Sequence, residues 1–148
     1  AVPALSLDPR AGRRFRGRPR QFFAEVGGAL LEYGRHIFWL QQRQKDGATR
    51  AEHLAVAAAH SVEAAAQLEP PPLPDVVAPV WEWFAEISAR RGAGAFGPAP
   101  IAWAELEAWE RRNAMRLKPH EVEWIFALDR LALEHQAPAK DAATKGKS

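Results

Sequence analysis

The amino-acid sequence predicts an all-α fold: a small bundle of about five helices between a basic N-terminal arm and a C-terminal tail. Apolar residues recur at intervals of three and four along five segments, as they do on the buried face of a helix. No segment shows the sustained period-two alternation of β-branched residues that is typical of a strand, so we expect no substantial sheet. The 148 residues, 47% hydrophobic and 26% charged, suffice for one domain or two small ones.

Residues 1–18 are predicted to form a flexible basic arm. Arginines alternate there with glycines and prolines, and too few apolar side chains are present to offset the entropy of ordering the segment. Ten Lys or Arg face four Asp or Glu in residues 1–50, two face six in residues 51–100, and eight face eight in the remainder. A basic contact with a partner is therefore expected only near the N-terminus.

The first helix is predicted to begin at Pro19, since proline suits the first helical position, and to end near residue 43. Gly27, Gly28 and Gly34 interrupt its pattern, and each glycine costs a helix roughly 1 kcal/mol relative to alanine. Such a cost indicates that a neighbouring helix crosses closely at these positions.

The second helix is predicted over about residues 49–68. It begins with the spacing of a capping box, in which Thr49 accepts a backbone N–H and Glu52 reaches back to the helix start. Its inward face consists mostly of small residues, which permit close packing: Leu54, Ala58, Ser61, Val62, Ala65 and Leu68.

The prolines of residues 70–75 cannot continue a helix, so we place a linker there. It separates an N-terminal helical hairpin, residues 19–69, from a tryptophan-rich three-helix module, residues 76–135. The helices of this module are predicted near residues 77–91, 102–114 and 119–134. Residues 136–148 are small, charged or helix-breaking, which predicts a disordered tail.

Five of the six tryptophans lie within 44 residues of this module. A unit this small needs bulky anchors to bury enough surface. The predicted core residues are Trp81, Phe84, Trp103, Leu106, Trp109 and Ile125. A second apolar line lies beside this core on the last helix, and one tryptophan lies at the margin of its own stripe, so we predict a partner-binding surface from Trp83, Trp124, Leu128 and Leu131. Alternatively, the two N-terminal helices cover these side chains.

Asp129 lies within the predicted buried arc of the last helix. Burying a carboxylate without partners costs several kcal/mol, so this side chain must find hydrogen-bond donors. The candidates are the indole N–H of Trp103 or Trp109, or the free N–H groups at the helix start near Ala102. We assign Asp129 to the structural core, because no acid or base companion is visible.

Catalysis and metal binding find little support in the residues. The chain has no cysteine, its five histidines are isolated, and it carries no glycine-rich phosphate loop. His53 and His60 share a helical face, but a complete ligand set is missing. We therefore predict that the protein is not an enzyme, uses no cofactor and holds no metal.

The arm carries a short motif with a second interpretation. Residues 16–20, Arg-Gly-Arg-Pro-Arg, resemble the core of an AT-hook, in which arginines follow the narrow minor groove of A·T-rich DNA. Arg16, Arg18 and Arg20 are therefore candidate nucleic-acid contacts. The match is five residues long and has Phe15 where a hook usually has proline, so we favour a solvated or protein-contacting arm over DNA binding.

A set of motifs in the C-terminal module resembles a known family. The order and spacing of the tryptophans around a Gly-Pro-x-Pro-Ile turn carry the likeness, in the stretches Val80-Trp81-Glu82-Trp83-Phe84-Ala85-Glu86-Ile87, Gly97-Pro98-Ala99-Pro100-Ile101, Trp103 to Trp109, Leu117-Lys118-Pro119-His120-Glu121 and Leu128-Asp129. Over about residues 74–134 the chain resembles the small tail assembly chaperones of long-tailed, siphovirus-type bacteriophages and prophages. One departure is Ala102, where the family tends to carry Ser or Thr.

This resemblance implies a protein of the host bacterial cytoplasm that escorts the tape-measure protein and recruits tail-tube subunits without performing a reaction. By analogy, the N-terminal helices would contact the tape measure and the tryptophan module the tube protein. Homo-oligomerisation stays open. The sequence has no run of about 18 apolar residues, so we expect no membrane association. The alternatives are a small DNA-binding accessory protein that uses the arm and a phage virion structural protein.

Overall fold

The structure, a computed structural model, describes residues 19–95 and 97–136. This part of the chain contains six helices, α1 (Pro19–Gln41), α2 (Arg50–Ala57), α3 (Val62–Leu68), α4 (Ala78–Ser88), α5 (Trp103–Asn113) and α6 (Pro119–Gln136). The predicted all-α class is confirmed. The sheet consists of two residue pairs, in which β1 (Ala93–Gly94) runs antiparallel to β2 (Gly97–Pro98). The predicted arm, with Arg16 and Arg18, and the tail from residue 137 lie outside the described residues.

Helices α1 and α6 lie side by side and run in the same direction. The Phe23 ring meets the His120 ring near the start of both helices, with 4.4 Å between centroids. The Phe38 ring meets the His135 ring near their ends, at 6.2 Å. This parallel pair is the most extensive helix contact in the described part of the chain. Residues 42–118 make the connection between them and bring α4 against both helices.

Two glycines allow the close approach of α1 to α6. A Cβ atom added to Gly27 would overlap the indole nitrogen of Trp124, and one added to Gly34 would lie 2.6 Å from Cδ2 of Leu128. A Cβ atom on Gly28 would meet nothing within 4 Å. The prediction of a close helix crossing is therefore right for Gly27 and Gly34 and wrong for Gly28, which lies on the exposed side of α1.

The hydrophobic core is continuous across the proline-rich segment. Val26, Leu30 and Phe38 of α1 belong to the same buried cluster as residues of α4, α5 and α6. Residues 70–75 therefore connect two parts of one core and do not separate two cores. The largest fully buried side chains are Leu30, Val77, Val80, Leu106, Ile125 and Leu128.

The second predicted helix is two helices in the structure. The capping box at its start is present, because the Thr49 hydroxyl accepts the Glu52 N–H at 3.2 Å and Glu52 Oε2 accepts the Thr49 N–H at 2.6 Å. The helix ends at residue 57, however, and the Ser61 hydroxyl accepts the Ala64 N–H at 3.1 Å to begin α3. Ser61 is therefore an N-cap and not part of an inward face, as a serine side chain competes for backbone N–H groups.

Helices α2 and α3 lie at the periphery of the bundle. Ala64 is their one buried residue, and Val62 is 82% exposed. The Arg50 guanidinium attaches α2 to α1, because it lies 4.5 Å from the Trp39 ring centroid and donates to Gln42 Oε1 at 2.6 Å. This pair of short helices contributes little to the common core.

Candidate functional site

The residues of α6 that are assigned to the predicted partner-binding surface, Trp124, Leu128 and Leu131, lie on the side of the helix that faces α1. Leu128 is wholly buried against Gly34, so its assignment to a partner-binding surface is wrong. Trp124 and Leu131 are half-buried on the same side of α6. The hydrophobic pattern of α6 marks this side as apolar, but the packing of α1 across it is a tertiary contact that the pattern does not contain.

Trp103 is the most exposed aromatic side chain in the described part of the chain. Its exposed fraction is 62%, so its assignment to the core is wrong. The ring meets the half-buried Phe126 ring edge to face, with 4.9 Å between centroids and an interplanar angle of 61°. Trp103 is the first residue of α5, and the buried side of this helix is set by Leu106 and Trp109. Trp103 and Phe126 together are called the aromatic pair below.

Charged residues border the aromatic pair. Glu107 lies one turn after Trp103 on α5, and Arg130 lies one turn after Phe126 on α6; both are exposed. An apolar centre with a charged rim is the usual composition of a surface that binds another protein. The arrangement supplies contact area and no reactive group.

A second aromatic cluster lies at the common N-terminal end of α1 and α6. Its members are Phe22, Phe23, His120 and Trp124, and neighbouring ring centroids are between 4.4 and 6.3 Å apart. Phe23 is 39% exposed, whereas Trp124 lies over Gly27. Arg20, the one candidate nucleic-acid contact in the described residues, is exposed on the first turn of α1.

The remaining predicted residues lie in or beside the core. Phe84, Leu106, Trp109 and Ile125 are buried. Trp81 is half-buried and meets Tyr33 edge to face at 5.1 Å. Trp83, which is predicted to bind a partner, is half-buried. Its ring centroid lies 6.0 Å from that of Trp109, so Trp83 also contributes to the packing of α4 against α5.

Asp129 is 3% exposed, and its carboxylate has a backbone hydrogen-bond donor and a cation as partners. Its Oδ2 accepts the Ile101 N–H at 2.9 Å, one residue before the helix start at Ala102, as one of the predicted alternatives requires. Its Oδ1 lies 2.5 Å from Nη1 of Arg91. The predicted indole donors are wrong.

The two indoles are used elsewhere. Trp109 Nε1 donates to Glu86 Oε2 at 2.9 Å, and Trp103 lies at the surface. Arg91 also donates to the carbonyl oxygens of Ser88 and Ala99, both at 3.2 Å. Asp129 and Arg91 therefore connect α6, the end of α4 and the loop that leads into Trp103, so this ion pair helps to position the aromatic pair.

The described residues contain no group of three or more His, Cys, Asp or Glu side chains with metal-binding geometry. His53 instead contacts the carboxylate of Asp46, with 2.7 Å between Nε2 and Oδ2. The Ala48 N–H and the neighbouring His53 lower the pKa of Asp46 below its ordinary value. Within the same part of the chain, no helix has the length and apolar character to cross a membrane.

A family model described as phage tail assembly chaperone matches residues 57–134, which is more than half of the chain. The chain belongs to the phage tail assembly chaperone family. The match contains α3 to α5, all but the last two residues of α6, and both members of the aromatic pair, whereas α1 precedes it. No curated protein and no solved structure matches the chain.

Membership of the tail assembly chaperone family implies partners among phage tail proteins. In this tail assembly chaperone, α1 covers one side of α6 although it lies outside the matched segment. The side of α6 that carries Phe126 keeps an exposed aromatic surface. The geometry therefore leaves the aromatic pair as the best candidate for contact with another polypeptide.

Proposed function

We propose that this chain is a non-enzymatic tail assembly chaperone that binds the tape-measure protein, the tail-tube protein or both through the aromatic pair. The observation that carries the proposal is the exposure of Trp103, 62% of whose surface is open to solvent on a small domain with a well-formed core. Tryptophan is one of the residue types that contribute most of the binding energy at protein interfaces.

The two proposed partners have surfaces that need temporary cover. A tape measure is a long helical protein with much apolar surface, and a tube subunit has unpaired strand edges before it polymerises. Weak contacts repeated over many chaperone copies would suffice, because avidity replaces single-site affinity. Trp124 and Leu131 on the side of α6 that faces α1, and Trp83 on α4, would be further contacts at separate places on the surface. The assembly would take place in the cytoplasm of the bacterial host.

Co-purification from phage-induced cells tests the proposal with Trp103→Ala. An exposed side chain can be truncated without a core cavity, so helicity by circular dichroism should stay unchanged. Loss of a tryptophan at the centre of an interface costs about 2 kcal/mol or more, roughly a thirtyfold loss of affinity. The tape-measure or tube protein recovered should therefore fall by an order of magnitude.

The matched control is Met115→Ala, since Met115 is also an exposed apolar residue and is 36% exposed just after α5. This variant should recover the tail protein as efficiently as the unchanged chain. Equal recovery by Trp103→Ala, with the fold intact, would contradict the role of the aromatic pair.

A further inference from the structure

A cleft between α4 and α5 lies on the side of α5 away from the aromatic pair. Trp103 and Arg112 are nine residues apart on α5, and at about 100° per residue this spacing places them on opposite sides of the helix. The cleft has two lobes of about 200 and 580 Å³, which share the lining residues Arg90, Trp109 and Arg112. It lies away from the aromatic pair, whereas Trp83, a further proposed contact, packs beside it against Trp109.

The floor of the smaller lobe is apolar. Ile87 of α4 and Trp109 of α5 are buried residues whose outer atoms line it, together with Ala108. A bulky aliphatic side chain placed there would remove its own apolar surface and that of the floor from water, which is favourable by about 25 cal/mol per Å².

The lining of the cleft carries two carboxylates and two guanidinium groups, and only the carboxylates form hydrogen bonds with the described residues. Its two carboxylates already have partners, because Glu86 accepts the Trp109 indole N–H and Glu105 accepts the N–H groups of Gly92 and Ala102. By contrast, the guanidinium groups of Arg90 and Arg112 form no hydrogen bond or ion pair with the described residues. The cleft therefore combines an apolar floor with two unpaired guanidinium groups.

We propose that this cleft binds a peptide segment of another polypeptide that carries a carboxylate beside a bulky aliphatic side chain. The aliphatic group would lie on Ile87 and Trp109, and the carboxylate would accept hydrogen bonds from Arg90 and Arg112. Guanidinium groups suit this role, since their planar donors match the two oxygens of a carboxylate. The proposal does not depend on which protein contacts the aromatic pair.

Nuclear magnetic resonance titration of the ¹⁵N-labelled full chain tests the cleft with a defined probe, the blocked peptide acetyl-Gly-Leu-Glu-Leu-Gly-amide. The indole N–H signal of Trp109, assigned from Trp109→Phe, is the reporter. A peptide with Gln in place of Glu and a peptide with Gly in place of both Leu residues are the comparisons. The Glu peptide should bind about fivefold more tightly than the Gln peptide, the ratio expected for one good exposed ion pair. It should also bind more tightly than the peptide without Leu, which leaves the apolar floor uncovered.

Variants of the protein complete the test. Arg90→Gln and Arg112→Gln should each weaken binding of the Glu peptide about fivefold at low salt. Arg111→Gln, a change at the exposed neighbour outside the cleft, should leave it unchanged, and thermal unfolding checks that all three variants are folded. Trp103→Ala should also bind the peptide normally, so failure here is distinct from failure of the proposed function.

Three outcomes would overturn the assignment. The first is equal binding of the Glu and Gln peptides, and the second is an equal loss in Arg111→Gln. The third is the same shift of the Trp109 signal with sodium acetate alone at matched concentration, which would mean that the arginines bind any small anion and the apolar floor is unused.

Discussion

Gly27 and Gly28 are neighbours on α1, and a methyl group added to each would meet different surroundings. At Gly27 it would overlap the Trp124 indole, and at Gly28 it would extend into open space. A glycine in a helix is justified only where another group occupies the place of its side chain. Gly27 is therefore needed for packing, and Gly28 destabilises α1 without an evident contact in return.

We expect Gly28→Ala to raise the free energy of unfolding by about 0.5–1 kcal/mol, because alanine loses less conformational entropy in a helix. Gly27→Ala should lower it by about 1–3 kcal/mol, since the added atom forces the indole to move. Urea unfolding followed by circular dichroism measures both. Changes of the same sign in the two variants would contradict the packing described between α1 and α6.

The ion pair of Asp129 and Arg91 is a second feature at the residue scale. Asp129→Ala leaves the guanidinium of Arg91, whose side chain is 11% exposed, without its carboxylate, and it removes the acceptor for the Ile101 N–H. We expect a loss of about 3–5 kcal/mol, typical of a broken buried pair. Denaturant unfolding is the measurement, and Glu123→Ala, at an exposed site on the same helix, is the control. A loss below 1 kcal/mol, as at a surface site, would argue against the buried pair.

At the scale of the elements, α5 begins without a capping side chain. Ala102 has the extended backbone of an N-cap, and Glu105 supplies half of a capping box by accepting the Ala102 N–H at 3.0 Å. Alanine has no oxygen to accept the Glu105 N–H in return. The first turn of α5, which carries Trp103, therefore lacks the stabilising hydrogen bond that a capping side chain would accept.

Ala102→Ser should complete this box and raise the free energy of unfolding by about 1 kcal/mol. The control is Ala104→Ser, since position 104 is exposed inside α5 and serine there slightly weakens the helix. Thermal unfolding compares the two, and equal melting temperatures would show that the hydroxyl does not cap α5.

The capping box of α2 predicts a pH dependence. The Thr49 N–H lowers the pKa of Glu52 below its ordinary value, so the ionised form is favoured in the folded chain. The stabilisation is present above the ordinary glutamate pKa and is lost as the pH falls through the lowered value. Hydrogen exchange at α2 amides should therefore become less protected below about pH 4 in the unchanged chain. In Glu52→Gln this acid-dependent step should be absent; its persistence would assign it to another group.

Local signals in the sequence predicted most helix positions, and they failed where a tertiary contact or a competing cap decides. The apolar periodicity predicts that Leu106 and Ile125 are buried, and the spacing of Thr49 and Glu52 predicts a helix start; the structure has both. Ser61 occupies an apolar-face position, so the pattern there predicts a continuous helix and hides a cap. The break between α2 and α3 follows from a hydrogen bond that periodicity does not include.

For the whole molecule, the residue pattern does not specify which helix packs against which apolar face. The apolar line through Leu128 on α6 is equally compatible with a partner protein and with α1, and the structure places α1 there. Trp103 has the helical spacing of a core residue, but its contact with the Phe126 ring of α6 leaves it 62% exposed. The exposed aromatic surface therefore lies on the side of α6 that carries Phe126, opposite the side that α1 covers.

This packing gives the molecule two surfaces on opposite sides of α5. The aromatic pair offers exposed rings, and the cleft of Arg90 and Arg112 offers unpaired cations above an apolar floor. A chaperone with two such surfaces can hold one tail protein while it engages a carboxylate-bearing segment of the same or another chain. Neither surface contains a metal-binding cluster among the described residues.

Site-specific photocrosslinking in phage-induced cells tests directly whether the aromatic pair contacts a tail protein. p-Benzoylphenylalanine replaces Trp103 in one variant and Val62, a still more exposed residue of α3, in another. We expect position 103 to crosslink to the tape-measure or tail-tube protein and position 62 not to crosslink to either. Crosslinking of these proteins at position 62 with none at position 103 would contradict this expectation.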